Sequence, residues 1–250
     1  ESPAATAAEA GAGPSPEAQA ASPMEGIWAP PAEAPSAPSG LGDARLDSSP
    51  SFEPHAARLA ELAEGGRRLY DSTSRGKQLA FLAVAQMQRS DFAGAAESLA
   101  AIGRLPPLAE ALGPGLWASV EQRLQLCYAH GVREFLEAYA SSLGFQSFLE
   151  RGVLAPQVPE GWQVGVQDYD DELYLLGLVG ALRDMERYAV NRGQALDLRS
   201  VRLCLGAAQC LEEALMQFSF RNSDLRQRFD GVKYSVKRLE TLAYEIDIAL

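Results

Sequence analysis

Apolar residues recur at helical spacing through most of the chain after residue 51, and the strict alternation of a β-strand is almost absent. The first such stretch carries apolar side chains near heptad spacing at Leu59, Leu62, Leu69, Tyr70, Leu79, Leu82 and Met87. Gly65, Gly66 and Gly76 lower the helix propensity of this stretch but do not have to end it. The pattern therefore predicts one long first helix that begins near residue 52.

The same periodicity predicts further helices, which are separated by proline and glycine turns. They cover about residues 91–101, 116–151, 168–191, 197–218 and 222–248, the last with a cap at Asn222 and Ser223. Turns are expected at residues 105–107 and 113–115, and a loop at residues 152–166. We therefore expect an all-α fold, an antiparallel bundle of about six or seven helices.

Residues 1–51 differ from the rest of the chain in composition. They consist mainly of Ala, Pro, Ser, Gly and Glu, so prolines break helices and few large apolar groups offset the ordering entropy. Residues 1–50 hold seven acids and one base, which is over half of the net charge of −11. We expect residues 1–51 to form a disordered acidic tail and residues 52–250 to form the helical domain.

Several classes of function are disfavoured by composition. Three cysteines without a Cys-x-x-Cys pair argue against a disulfide framework and favour a reducing compartment, the cytoplasm or the nucleus or both. The longest uncharged apolar run, residues 173–182, is too short to span a bilayer, so no membrane partner is expected. His55 and His130 lie in different segments, which disfavours a catalytic triad, and no phosphate-binding glycine loop is present.

Glu134 and Glu137 are three residues apart in a helical stretch, so both carboxylates can point to one spot. Large apolar neighbours such as Phe135 place this stretch partly in the core, where a carboxylate needs a partner. Two acids on one helix with a third from another helix suit Mg²⁺, which activates water against a phosphodiester. Asp184 is the most natural third acid. The alternative is that these acids are solvated or form structural ion pairs with neighbouring arginines.

The predicted last helix carries the most specific motif in the chain. Asn222-Ser-Asp-Leu-Arg is followed by Arg228-Phe-Asp-Gly-Val-Lys-Tyr and a further Val-Lys pair. This run closely resembles the last helix of the translin family. Tyr174-Leu-Leu-Gly, with Arg187 and Asn191 downstream, resembles another helix of the same family.

A second segment, residues 131–138, resembles the Trax subfamily, in which two glutamates are metal-binding catalytic residues. These glutamates fall on Glu134 and Glu137. The third catalytic carboxylate of that subfamily falls on Gly180, and the next acid, Asp184, lies one helical turn later. By this resemblance the chain is a mosaic, similar to Trax at the glutamate pair and to translin at its C-terminal helix. The carboxylate site is either rebuilt around Asp184 or lost.

The resemblance covers roughly residues 55–248 and implies a hollow homo- or hetero-oligomer of translin-family subunits that binds single-stranded RNA or DNA. It further implies a Mg²⁺-dependent endoribonuclease with Glu134, Glu137 and Asp184 as metal-binding catalytic residues. The candidates for nucleic-acid contact are Arg226, Arg228, Lys233, Lys237 and Arg238, and the alternative for each is a place on a solvated helix face. Translin carries a basic stretch before its long helix, whereas residues 108–116 contain no base. A non-catalytic single-strand-binding subunit and a helical scaffold without nucleic-acid binding stay open as alternatives.

Overall fold

The computed structural model describes residues 52–154, 158–219 and 224–250. The tail predicted at residues 1–51 and the helix cap predicted at residues 222–223 lie outside the described residues. The remaining predictions of helices, turns and site residues fall within the described ranges, apart from a three-residue gap in the predicted loop.

The described part contains nine α-helices, one 3₁₀ turn (Glu160–Trp162) and no β-strand. In chain order the helices are α1 (Glu53–Gln88), α2 (Phe92–Ile102), α3 (Leu108–Leu112), α4 (Pro114–Ala118), α5 (Val120–Ala129), α6 (Val132–Arg151), α7 (Gln167–Gln194), α8 (Leu198–Met216) and α9 (Asp224–Ala249). The all-α fold class is confirmed. Within the described residues, none of these helices is long and apolar enough to cross a membrane.

Helix α1 continues through its glycines, as predicted. Tight packing against these positions explains why glycine stands there inside a helix. A Cβ atom on Gly66 would lie 2.5 Å from Nε2 of His130, and one on Gly76 would lie 2.5 Å from Cε2 of Phe135. A larger side chain at either position would force the neighbouring ring to move. The glycines therefore let α1 approach the start of α6 closely, and the contact compensates for their low helix propensity.

The single helix predicted over residues 116–151 is wrong, because the backbone interrupts it twice. Ser119 has an extended ψ of 114°, and its side chain accepts a hydrogen bond from the backbone N–H of Gln122, which caps α5. Gly131 has a φ of 70°, in the left-handed region that glycine adopts without strain, and it separates α5 from α6. Together with the two five-residue helices α3 and α4, these breaks raise the number of helices above the six or seven expected.

Helices α6 and α7 run parallel, since residue numbers increase together along their contact. Gly177 lies against Ala140, and one turn further Ala181 lies against Gly144. The connection between the two helices returns to the start of α6, where the buried ring of Trp162 packs among aromatic side chains. The small residues at this contact bring the two helix backbones close together.

The predicted antiparallel arrangement holds for α8 and α9. Arg202, near the start of α8, pairs with Asp247 near the end of α9, with 2.9 Å between nitrogen and oxygen. Gln209, further along α8, bonds to Glu240, which is earlier in α9. The bundle therefore contains the antiparallel pair α8 and α9 alongside parallel helices such as α6 and α7, which the long connection before α7 makes possible.

Candidate functional site

Glu137 lies on α6 and forms a two-point ion pair with Arg228 near the start of α9. Nη1 and Nη2 of Arg228 donate to the two different carboxylate oxygens of Glu137, the second at 3.0 Å. The side chains of Arg228 and Glu137 are 30% and 19% exposed, so water screens this pair less than it screens a surface pair. Burial and the nearby charge of Arg133 lower the pKa of Arg228, yet a guanidinium stays charged at neutral pH. One internal cation therefore engages both oxygens of Glu137.

Arg133, one turn before Glu137 on α6, makes the reciprocal pair. Its Nη2 donates to Oδ2 of Asp224 on α9 at 2.7 Å, and Glu172 of α7 lies 3.6 Å from the same nitrogen. Arg133 and Glu137 are one helical turn apart on α6, and their partners Asp224 and Arg228 are one turn apart on α9. Residue numbers again increase together, so the two pairs hold the parallel helices α6 and α9 in one register.

Asp184 lies on α7 beside a cleft of about 440 Å³ that α1, α6 and α7 line. The hydroxyl of Ser141 donates to its Oδ2 at 3.0 Å, and Nη1 of Arg187 lies 3.5 Å from its Oδ1. Burial raises the pKa of Asp184 above its ordinary value of 3.8, and the bond from Ser141 and the charges of Arg187 and Arg183 oppose the shift. The carboxylate therefore has partners of its own within the helix bundle.

Gly180, which stands where the Trax resemblance implies the third catalytic aspartate, leaves little room for a side chain. A Cβ atom on Gly180 would lie 3.0 Å from Oγ and 3.1 Å from Cβ of Ser141. Ser141 is also the residue that donates to Asp184. An acid at position 180 would therefore displace the same hydroxyl that holds Asp184.

The structure does not gather Glu134, Glu137 and Asp184 into one cluster. In the part of the chain that the structure describes, no group of three or more His, Cys, Asp or Glu side chains is placed to hold a metal ion. Glu134 is exposed, Glu137 is bonded to Arg228, and Asp184 is bonded to Ser141. Their role as Mg²⁺ ligands and catalytic residues stays a prediction from the sequence, and the partners of Glu137 and Asp184 argue against it.

The five basic residues predicted to contact nucleic acid all lie on α9, but three of them make ion pairs with acids. Arg228 is committed to α6. Arg238 reaches back to Glu186 of α7, with 2.7 Å between nitrogen and oxygen, and its side chain is still mostly exposed. Arg226 lies 3.8 Å from Asp230 on its own helix. Arg228 is therefore the base least available to a phosphate, because the exposed side chains of Arg226 and Arg238 can leave their ion pairs at little cost.

Lys233 and Lys237 are exposed, and two exposed tyrosines that sequence reasoning missed lie near them. Tyr234 and Tyr244 are each 67% exposed. Arg226, Lys233, Lys237 and Tyr244 are seven, four and seven residues apart, which places them on one stripe of the helix, hereafter the α9 stripe. This spacing is readable in the sequence, but the burial of the opposite side of α9 shows that the stripe faces outward.

We expect Asp184→Asn to raise the thermal midpoint at neutral pH. Because burial raises the pKa of Asp184 in the fold, the ionised carboxylate is less stable in the folded chain than in the unfolded chain. The contribution of the Asp184 side chain to the free energy of unfolding is full below the unfolded pKa, where the side chain is protonated. This contribution is lost as the pH rises through the raised pKa. The difference in thermal midpoint between Asp184→Asn and wild type should therefore be small at acidic pH and increase towards neutral pH. Thermal unfolding followed by circular dichroism measures this difference.

Asp197 provides a control of opposite sign. Hydrogen bonds from Ser200 and Arg192 lower its pKa to about 2, so its contribution is present at neutral pH and is lost as the pH falls through that value. Asp197→Asn should lower the midpoint at neutral pH, and the loss should shrink at acidic pH. A difference between Asp184→Asn and wild type that does not change with pH would contradict the buried ionised carboxylate at position 184.

A model of the translin family matches residues 73–249 of this chain. Chicken translin (Gallus gallus) is 30% identical over 113 residues, which are 45% of this chain and 43% of the chicken protein. Human translin (Homo sapiens) is 26% identical over 138 residues, which are 53% of this chain and 54% of the human protein. The matched stretches thus span about half the length of these curated relatives.

The fold is similar to those of solved structures described as C3PO. For the complex of AfC3PO with duplex RNA the TM-score is 0.62 at 17% identity, over 79% of this chain and 97% of that chain. For apo-NeC3PO the TM-score is 0.63, with the same identity and coverage. At this level of identity, the likeness shows that the helical fold is shared.

Proposed function

The chain belongs to the translin family, and we propose that it is a single-stranded nucleic-acid-binding subunit of a translin-type assembly. The observation that carries this proposal is the outward-facing α9 stripe, with Lys233, Lys237 and Tyr244, and the exposed Tyr234 beside it. The family match extends through this helix, since it ends at residue 249.

The acidic net charge of the chain does not oppose this function, because the charge on α9 is local. Between Arg226 and Arg238 the helix has five bases and one acid, whereas the whole chain carries a net charge of −11. Backbone phosphates respond to nearby cations within about a Debye length, roughly 8–10 Å in ordinary buffers. Lys233 and Lys237 therefore present a positive surface to a strand that lies along α9.

The exposed tyrosines favour a single strand over a duplex. Bases of a single strand are free to stack on aromatic side chains, at about 1–3 kcal/mol for each base, whereas bases in a duplex already stack on one another. Tyr234 and Tyr244 are accessible for such stacking next to the lysines. One solved structure with this fold is a complex with duplex RNA, so the binding experiment has to compare both forms.

We propose further that this subunit holds nucleic acid without supplying the group that cuts it. A Mg²⁺-dependent nuclease needs carboxylates that converge on an ion. The resemblance at Glu134 and Glu137 supports a nuclease, but Glu137 is bonded to Arg228 and position 180 has no side chain. A single-stranded RNA incubated with the purified chain and Mg²⁺ should therefore stay intact. Cleavage that disappears in Glu134→Gln and Glu137→Gln would establish the nuclease instead.

We expect the double change Lys233→Gln and Lys237→Gln to weaken binding of a single-stranded oligonucleotide roughly tenfold or more at low salt. Each lysine that neutralises a phosphate of a single strand contributes about 0.7 to the slope of log affinity against log salt. The slope should therefore become shallower by about 1.4 in the double variant. Fluorescence anisotropy of a labelled RNA at several salt concentrations measures both quantities.

The matched control is Arg104→Gln with Arg199→Gln, which removes the same charge from exposed positions outside α9. The arginine double variant should leave the slope of log affinity against log salt nearly unchanged. A second double variant, Tyr234→Ala with Tyr244→Ala, should reduce the preference for single strands over duplexes. Equal losses in the lysine and arginine pairs would mean that net charge, not the α9 stripe, governs binding. Absence of oligonucleotide binding by wild type at low salt would favour a helical scaffold. Sedimentation of the same samples reports the oligomeric state.

A further inference from the structure

Glu137, an acid that the sequence predicts to bind a metal, already forms an ion pair with an internal cation. Arg228 donates from two nitrogens to the two oxygens of Glu137, and both side chains are partly buried. Two parallel N–H···O bonds from a planar guanidinium are the strongest and most directional form of ion pair in proteins. A divalent cation at Glu137 would have to displace this guanidinium and leave its charge between α6 and α9.

The remaining acids do not compensate for the loss of Glu137 as a metal ligand. Asp184 accepts from Ser141 and lies beside Arg187. Position 180, where the Trax resemblance implies a further ligand, is a glycine whose Cβ would press on Ser141 at 3.0 Å. The residues present in this chain therefore do not fit the Mg²⁺ ion that the resemblance implies.

We propose that Arg228 is the permanent counter-ion of Glu137, tying α6 to α9, and that this chain binds no divalent cation at the glutamate pair. The neighbouring pair of Arg133 with Asp224 also joins α6 to α9, with the base on α6 and the acid on α9. Arginine stands on α6 and acid on α9 in one turn, and acid on α6 and arginine on α9 in the next. This alternation specifies one register of the two helices, because a shift by one turn would set like charges opposite each other.

The first test is a titration of the purified full-length wild-type chain with Mn²⁺, a paramagnetic substitute for Mg²⁺, followed by electron paramagnetic resonance. We expect no saturable binding up to millimolar Mn²⁺ and no increase of the thermal midpoint when Mn²⁺ is added. Saturable binding by wild type that Glu137→Gln removes would overturn the proposal. The measurement contains no nucleic acid, so its outcome is independent of whether the α9 stripe binds a single strand.

The second test is a double-mutant cycle on thermal midpoints with Glu137→Gln, Arg228→Gln and both together. We expect Arg228→Gln to lower the midpoint by several degrees, because it leaves a mostly buried carboxylate without its partner. The double variant should then lose clearly less than the sum of the two single losses. Should Arg228→Gln alone fail to fold while the double variant folds, the same coupling is established.

The control cycle uses Arg202 and Asp247, an ion pair between α8 and α9 whose side chains are 60% and 57% exposed. Exposed pairs contribute little to stability, so the losses from Arg202→Gln and Asp247→Asn should be small and additive. Additive losses in the Glu137–Arg228 cycle as well would refute the role of Arg228 as the tie between α6 and α9.

Discussion

Phe135→Ala should lower the free energy of unfolding by about 3–5 kcal/mol. The side chain is fully buried, and its ring lies 5.0 Å from the ring of Trp162 and 5.8 Å from that of Tyr139, between centroids. It also fills the space that Gly76 leaves open on α1. Its loss removes the side chain that joins α1, α6 and the connection before α7, so the remaining cavity cannot collapse easily.

For a domain of this size, such a loss should lower the thermal midpoint by roughly 10 °C or more. Thermal unfolding by circular dichroism or calorimetry measures it. Phe81→Ala is the matched control, because Phe81 is an aromatic residue of α1 that is 57% exposed. It should change the free energy of unfolding by no more than about 0.5 kcal/mol. Equal effects of the two substitutions would show that Phe135 is not a core residue.

Gly177→Ala should destabilise the fold by about 2 kcal/mol, although alanine is the better helix former. The added Cβ atom would lie 2.3 Å from Cβ of Ala140 and 3.2 Å from the backbone nitrogen of Ser141. None of these atoms can rotate away, so α6 and α7 must separate, at the upper end of the usual overpacking cost of about 1–3 kcal/mol. The gain in helix propensity of about 1 kcal/mol offsets only part of this. Denaturant unfolding of the two proteins measures the difference.

Gly206→Ala is the control, because a Cβ atom at Gly206 in α8 would have no heavy atom within 4 Å. This change should stabilise the fold by up to about 1 kcal/mol. The added change Ala140→Gly should rescue part of the loss in Gly177→Ala, since it removes the atom in the way. A stabilising effect of Gly177→Ala would contradict the close contact of α6 with α7.

These substitutions concern residues whose importance the sequence indicates only in part. The sequence shows that Phe135 is apolar and that Gly177 belongs to a family motif, but it does not show which residues pack against them. Local rules describe Gly177 as a weak point of a helix. Its value to the fold comes from Ala140, which precedes it by 37 positions and meets it only after the chain has returned through the α6–α7 connection.

The breaks at Ser119 and Gly131 show a similar limit within one element. Apolar periodicity continues across both positions, so the sequence pattern predicts one helix over residues 116–151. A glycine can remain helical or turn to a positive φ at small local cost, and packing selects between the two. At Gly131 the left-handed conformation redirects the chain into α6 and brings His130 against Gly66 of α1.

The sequence by itself determined the all-α class, the positions of α1, α2, α7, α8 and α9, and the family, because helical periodicity and the C-terminal motif are local properties. It also determined which residues are candidates at the site. Only the tertiary structure decided which partner each charge has. Glu137 and Arg228 are 91 positions apart, and their pairing follows from the packing of both α6 and α9 on α7, which depends on the whole bundle. The same acid can bind a metal or an arginine, and the nearest cation in the folded chain decides between them.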